Sequence, residues 1–232
     1  MNQANQDTLK RQAAETAVQF IQSGMVLGLG SGTTAAIALK LIGQRIQSGA
    51  LNKIVGVPTS LSIAAKAQQL GIPLAPDDNP PAIDLTIDGA DEVDPAWNLI
   101  KGGGGAMTRE KMIAQLSTRE IIVIDESKLS PQLGTRWPLP IEVLPFGWQA
   151  QARWLTEQGG APKLRQNKDG SPYLTDQENY ILDTAFGPIA DANQLAALIK
   201  TRAGILEHGL FLNLTSDVII ARAGGVRHVV VR

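Results

Sequence analysis

The chain has 232 residues, a formal net charge of −1 at pH 7 and no cysteine. That length suits one large domain or two modest ones around a sizeable core. Near-neutral charge without a basic run excludes a general nucleic-acid surface, and the missing cysteine excludes disulfides, thiolate metal sites and a cysteine nucleophile.

The only histidines, His208 and His228, are too few and too far apart for a zinc cluster. No Gly-x-Ser-x-Gly elbow supports a serine hydrolase. Residues 1–10 are polar and lack the apolar core of a signal peptide. No apolar run approaches the ~20 residues of a membrane span. The expectation is a cytoplasmic protein that binds neither membrane nor nucleic acid.

Leu9, Ala13, Ala14, Ala17, Val18 and Ile21 recur at helical spacing over 7–23, with Gly24 as a stop. A short strand at 25–29 runs into Gly28-Leu-Gly30-Ser-Gly32-Thr-Thr and a helix over 33–47. A strand at 53–57, a helix over 60–70 and a strand at 83–87 follow. An acidic, glycine-rich stretch at 88–111 then leads into a helix over 106–116 and a strand at 120–124. This alternation predicts an α/β domain with a Rossmann-like, mostly parallel sheet.

The pattern then changes. Pro131, Pro138, Pro140 and Pro145 forbid one long helix. A strand at 137–143, a helix over 148–157 and a strand at 161–165 precede a hairpin turn at 167–170. Extended segments from 173 and over 179–184, a helix over 192–202 and a strand at 205–210 complete the set. That order predicts a smaller α+β domain of the ferredoxin-like split βαβ kind. The apolar runs 218–221 and 226–231 are expected to return to the first sheet. Residues 1–131 and 208–232 thus make the catalytic domain and 132–207 the insert. The aromatics crowd into that insert, at Trp137, Phe146, Trp148, Trp154, Tyr173, Tyr180 and Phe186. They are read as its core, with a subunit interface as the alternative.

The first glycine loop is neither a dinucleotide fingerprint nor a P-loop. No acid occurs between Glu15 and Asp77, so the ribose-binding carboxylate of a dinucleotide fold is missing. What remains is Ser31, Gly32, Thr33 and Thr34 at a helix start, a good seat for a phosphate.

The stretch from Asp88 reads Asp-Gly-Ala-Asp-Glu-Val-Asp-Pro, and Lys101 precedes Gly102, Gly103, Gly104 and Gly105. Four glycines are costly to order. Their use is that bare N–H groups approach a ligand closely and point at negative charge. With Glu110 as base and Lys101 and the amides as oxyanion donors, the set suits proton transfer beside a carbonyl. Asp88 and Asp91 are candidates to accept a hydroxyl proton in sugar ring opening, with Asp88 favoured, or to relay one between the two oxygens of an enediol. Glu92 and Asp94 are read as caps of a turn before Pro95, and Arg109 and Lys111 as solvated or interface charges. A magnesium site at Asp88, Asp91 and Asp94 is conceivable, but the chemistry needs no metal.

The sequence resembles the type A ribose-5-phosphate isomerase family over nearly its whole length. The resemblance rests on Gly-Ser-Gly-Thr-Thr at 30–34, Asp-Gly-Ala-Asp-Glu at 88–92 and Lys-Gly-Gly-Gly-Gly-Ala at 101–106. Thr-Arg-Glu-Lys at 108–111, Asp-Glu-Ser-Lys at 125–128 and Asn-Tyr-Ile-Leu-Asp at 179–183 add to it. It implies interconversion of ribose 5-phosphate and ribulose 5-phosphate through a cis-enediol(ate), with no cofactor and no metal. Its setting would be the non-oxidative pentose phosphate branch or the Calvin cycle.

It implies that Glu110 moves the proton between C1 and C2. Substrate contacts would fall at Lys10, Ser31, Gly32, Thr33, Thr34, Asp88, Gly89, Ala90, Asp91, Lys101, Gly102, Gly103, Gly104 and Lys128. Ser31 stands where many members carry threonine, a change expected to shift affinity more than mechanism. The resemblance also implies a homodimer or homotetramer. Two other readings compete: a sugar-phosphate sensor without turnover, and a coenzyme A transferase with Glu110 as nucleophile.

Overall fold

A computed structural model describes residues 3–232, with side chains from residue 8 onward. The chain runs through helix α1 (Gln3–Ala17), strand β1 (Val26–Leu29), helix α2 (Gly32–Gln47), strand β2 (Val55–Pro58), helix α3 (Leu61–Gln69) and strand β3 (Ile83–Asp88). Strands β4 (Glu92–Val93) and β5 (Leu99–Ile100), helix α4 (Met107–Leu116) and strand β6 (Ser117–Asp125) come next. Then follow β7 (Leu139–Val143), α5 (Trp148–Glu157), β8 (Ala161–Leu164), β9 (Tyr180–Ala185), α6 (Ala192–Lys200) and β10 (Ile205–His208). The chain closes with β11 (Leu210–Phe211), β12 (Asp217–Arg222) and β13 (Gly225–Val230).

Two compact units result. The first comprises Met1–Ala90, Arg109–Lys128 and Leu214–Arg232, the second Asp91–Thr108 and Leu129–Asn213. The second unit takes in 91–108, 129–131 and 208–213 besides the stretch 132–207 expected as an insert.

The first unit holds a six-stranded sheet in the order β13-β12-β6-β3-β1-β2. All neighbours are parallel except the edge strand β13, which returns antiparallel along β12. The central strands are apolar on both faces, as a covered parallel sheet requires. Ile121, Ile122, Val123 and Ile124 are all buried, as are Val218, Ile219, Ile220 and Ala221. Ala13, Ala14 and Ala17 are fully buried on α1, which packs on β6, β12 and α2. Their small side chains let the helix lie close to the sheet.

The second unit has the element order β7-α5-β8-β9-α6-β10 and the antiparallel sheet order β10-β7-β9-β8. This is the ferredoxin-like arrangement, with the two crossover strands inside. Trp137, Trp148, Trp154, Tyr180 and Phe186 pack against its core of Leu139, Ile141, Val143, Leu155, Leu182 and Ile199. Phe146 stands exposed, and Tyr173 is not part of that core either.

Three local expectations need correction. The helix expected over 7–23 ends at Ala17 and passes into a single tighter turn, Val18–Phe20. The strand expected at 205–210 is divided: β10 joins the four-stranded sheet, while β11 pairs with β5 in a separate sheet, β11-β5-β4. The break is Gly209, where a side chain would sit 2.2 Å from the Lys101 carbonyl. The extended segment from 173 bends into a turn, the Glu178 N–H donating to Thr175 O at 2.9 Å.

One charged cluster secures the first sheet. The buried Asp217 carboxylate accepts two hydrogen bonds from Arg119, at 2.6 and 2.8 Å, and lies 2.7 Å from His228 Nε2. Arg119 also stacks over Phe20, 4.5 Å from the ring centroid. Burial pushes the Asp217 carboxyl up, but hydrogen bonds from Arg119 and His228 and their positive charge outweigh it and hold the group below its usual range.

A carboxyl depressed by folding stabilises fully above its unfolded value of about 3.9 and loses that contribution as pH falls through the folded value. Asp217→Asn is therefore predicted to lower the neutral-pH melting temperature by roughly 5 °C. It should also flatten the acid limb of the melting-temperature profile below about pH 4.

Candidate active site

The connections of the first unit diverge between β1 and β3. From β1 the chain runs through α2 to the edge strand β2, whereas from β3 it continues to β6 on the opposite side. In an open α/β sheet the carboxyl ends of strands at such a switch point are the usual ligand site. Gly30, Ser31 and Asp88 lie there.

Glycine makes the approach possible. A side chain at Gly30 would come within 2.5 Å of the Asp88 Cα and 2.4 Å of the Ile87 carbonyl oxygen. The Gly30 N–H instead donates to Ile87 O at 3.1 Å, so the turn after β1 rides directly on β3. Gly32 then adopts φ +86°, a left-handed conformation that favours glycine.

On this turn Asp88 Oδ1 accepts the N–H groups of Ser31 at 2.9 Å and of Gly89 at 2.7 Å. Ser31 is the N-cap of α2 but does not cap it with its side chain. Its hydroxyl donates instead to Oε1 of Glu110. Glu110 lies in the first turn of α4 and is only 4 % exposed. Ser31, Asp88 and Glu110 thus form one connected cluster: a buried carboxylate aimed by a hydroxyl whose own backbone is fixed by a second buried carboxylate.

Thr33 and Thr34 begin α2 beyond this cluster, Thr33 exposed and Thr34 buried. Lys128 ends the single turn Glu126–Lys128 that follows β6 and is half-buried. Lys10 is half-buried on α1.

Asp91, Lys101 and the four glycines belong to the second unit, so the two aspartates of the 88–91 motif lie on different units. Asp91 Oδ2 accepts the Gly103 N–H at 2.7 Å. The Gly105 N–H donates to Gly102 O at 2.9 Å, closing the turn. Gly102 and Gly105 have φ +107° and +80°. Not every glycine amide is therefore available to a ligand, as the sequence suggested; Gly103 and Gly105 spend theirs internally. Lys101 is 3 % exposed, with Nζ 5.5 Å from the Phe211 ring centroid.

Arg165 and Glu142, to which sequence reasoning gave no role, and Tyr173, which it read with the insert's aromatics, secure this turn and the start of α4. Arg165 Nη1 donates to the carbonyls of Gly102 at 2.9 Å and Gly103 at 3.2 Å. Tyr173 donates its hydroxyl to Gly104 O at 3.2 Å. Glu142 accepts the Thr108 hydroxyl from the start of α4. Asn-Tyr-Ile-Leu-Asp at 179–183 was the available signal, since Asn179 binds Glu142 and Asp183 binds Arg165.

Two further readings change. Glu92 is not a turn cap: it is fully buried, and its carboxylate accepts the N–H groups of Gly134 at 2.9 Å and Arg136 at 3.0 Å. Asp94 does cap the turn, through Asn98 N–H at 2.8 Å. Lys111 is buried rather than solvated, whereas Arg109 pairs with Asp77 at 3.1 Å near the surface. Among the described residues no group of three or more His, Cys, Asp or Glu is placed to hold a metal ion, and no helix is long and apolar enough to cross a membrane.

A buried glutamate beside a hydroxyl-rich helix start suits proton transfer on a phosphorylated sugar, the chemistry of aldose–ketose isomerases. Comparison with known proteins makes that specific. The family described as ribose 5-phosphate isomerase A (phosphoriboisomerase A) matches residues 55–225. Ribose-5-phosphate isomerase A of Chloroflexus aurantiacus is 55% identical over 229 residues, 99% of this chain and 96% of that one. A solved D-ribose-5-phosphate isomerase in complex with phospho-erythronic acid superposes with a TM-score of 0.95 at 38% identity, covering 99% of this chain and 100% of that one. The Plasmodium falciparum ribose 5-phosphate isomerase gives 0.93 at 40% identity, over 97% and 98% of the two chains. The chain belongs to the ribose-5-phosphate isomerase A family, and it is an isomerase.

If the contact at Gly30 sets the position of Ser31, a methyl group there must displace it. Gly30→Ala is predicted to lower kcat/KM by at least a hundredfold, the scale of a misplacement of about 1 Å. Gly24→Ala, with nothing within 4 Å of the added atom, is predicted to stay within about threefold despite its positive φ. Steady-state kinetics on both variants makes the check.

Proposed function

We propose that Glu110 is the base that carries a proton between C2 and C1 as D-ribose 5-phosphate and D-ribulose 5-phosphate interconvert. The observation that carries this is the burial of Glu110 together with the Ser31 hydroxyl held against its carboxylate. Burial removes competing water, and the hydroxyl fixes one oxygen of the carboxylate.

Going from aldose to ketose, Asp88 or Asp91 accepts the anomeric hydroxyl proton as the C1–O4 bond breaks and passes it to the ring oxygen, and we favour Asp88. Glu110 then takes the proton from C2 and negative charge develops on O1, giving the cis-enediol(ate). Lys101 and those glycine-turn amides not bonded within the turn stabilise that charge, and a single good donor is worth roughly 10²–10³ in rate. A proton passes from O2 to O1, and Glu110 returns its proton to C1. Every proton removed is restored, so the step needs no redox partner.

The phosphate falls to Thr33, Thr34 and the N-terminal amides of α2, with Lys10 and Lys128 as its cationic contacts. Ser31 marks the opposite, reacting end, because its hydroxyl is given to Glu110. Three helical residues advance about 4.5 Å, a distance on the scale of a pentose chain. We further propose that the enzyme is a cytoplasmic homodimer or homotetramer working in the non-oxidative pentose phosphate branch. Family membership supports this.

Glu110→Gln is predicted to lower kcat about 10³-fold, the upper range of acid–base catalysis, while phospho-erythronic acid still binds. Retention of more than a tenth of the parental kcat would remove Glu110 from the role. Hydroxylamine should trap nothing on Glu110; a trapped acyl adduct would favour the coenzyme A transferase reading. Thr33→Ala is predicted to raise KM for ribose 5-phosphate about tenfold or more and to leave turnover of unphosphorylated ribose unchanged. A coupled assay with a chelator present is expected to show full activity.

A further inference from the structure

The motif Asn-Tyr-Ile-Leu-Asp at 179–183 takes no part in the reaction as written, yet its two polar ends lead to the glycine turn and to the start of α4. Asn179 and Asp183 are four residues apart on an extended segment, so both project from the same side. Asn179 Nδ2 donates to Glu142 Oε1 at 2.9 Å, and Thr175 adds its hydroxyl to the same oxygen at 2.7 Å. The other oxygen of this fully buried carboxylate accepts the Thr108 hydroxyl, two residues before Glu110. Asp183 grips Arg165 through two hydrogen bonds, at 2.9 and 2.5 Å. Arg165 in turn takes the carbonyls of Gly102 and Gly103.

The peptide plane gives these contacts a consequence. In a trans peptide the carbonyl of one residue and the N–H of the next point in opposite directions. By drawing in the Gly103 carbonyl, Arg165 turns the Gly104 N–H the other way. Among the described residues that N–H has no acceptor, and a side chain at Gly104 would meet nothing within 4 Å. Gly104 is therefore open on its Cβ side, and the Gly103–Gly104 peptide plane is clamped through its carbonyl.

We propose that Arg165 and Glu142, held by Asp183 and Asn179, are positioning residues that fix the glycine turn so that the Gly104 amide is an aligned oxyanion donor. The role rests on the proposed function, in which the turn meets the developing enediolate. Left alone, a run of four glycines samples many conformations, and a donor helps the transition state only if it is already aligned. The guanidinium fork suits the task, since it binds a carboxylate with two nitrogens and still donates to carbonyls. A lysine cannot do both.

Arg165→Lys, Arg165→Ala, Thr108→Val and Glu110→Gln are to be compared for kcat, KM and melting temperature. Both Arg165→Lys and Thr108→Val should lower kcat tenfold to about a hundredfold, with KM for ribose 5-phosphate within about twofold of the parent. Melting temperatures should show that each variant remains folded at the assay temperature. Guanidinium ion at millimolar concentration should restore part of the kcat of Arg165→Ala and leave Thr108→Val unchanged. Parental kcat in folded Arg165→Lys, a loss expressed in KM alone, or absence of guanidinium rescue would overturn the proposal. Thr108→Val alone at parental kcat would overturn the Glu142 half. An active Glu110→Gln would instead strike at the proposed function, so the two failures are separable.

Discussion

One contact sets the chemistry of the first unit: the backbone of Gly30 lying against the end of β3. It is closer than any side chain permits, and it hands the Ser31 N–H to Asp88. The Ser31 hydroxyl is then left to meet Glu110 rather than to cap its own helix. A helix start that gives up its side-chain cap forgoes about 1 kcal/mol. The hydroxyl is spent instead on aiming a buried carboxylate, and the glycine at φ +86° makes the required turn possible.

The second unit meets a different difficulty with similar means. A run of glycines supplies amides without side chains but brings no rigidity of its own. Rigidity arrives from outside the run, through Arg165, Tyr173 and Asp91 on the turn and Glu142 at Thr108. Burial raises the Tyr173 hydroxyl above its ordinary range, so it stays protonated and donating through neutral pH. The buried glutamates divide accordingly: Glu92 and Glu142 hold backbone or hydroxyl groups, while Glu110 lies with Ser31 at the sheet's carboxyl edge.

Much of this was legible because glycine and proline punctuate the chain and the apolar periods are clean. The helix Trp148–Glu157 and the return of the last two strands to the first sheet follow from such patterns. Strands of two residues leave no period, so β4, β5 and β11 were invisible. Long-range polar contacts were equally hidden. Nothing near Glu92 announces that its partners stand 42 and 44 residues further along, and Lys111 reads as a surface charge until its burial is seen. The glycine run announced a cradle but not which amides remain for a ligand, because that depends on an arginine 63 residues from Gly102.

The central claim is that Glu110 exchanges the transferred hydrogen with the sugar carbons. Hydrogen isotope exchange tests it most directly: ribose 5-phosphate turned over in deuterium oxide, with products and recovered substrate read by NMR. Deuterium at C1 of the ketose and C2 of the aldose, abolished in Glu110→Gln, is the predicted result. Incorporation at the parental rate in that variant would contradict it.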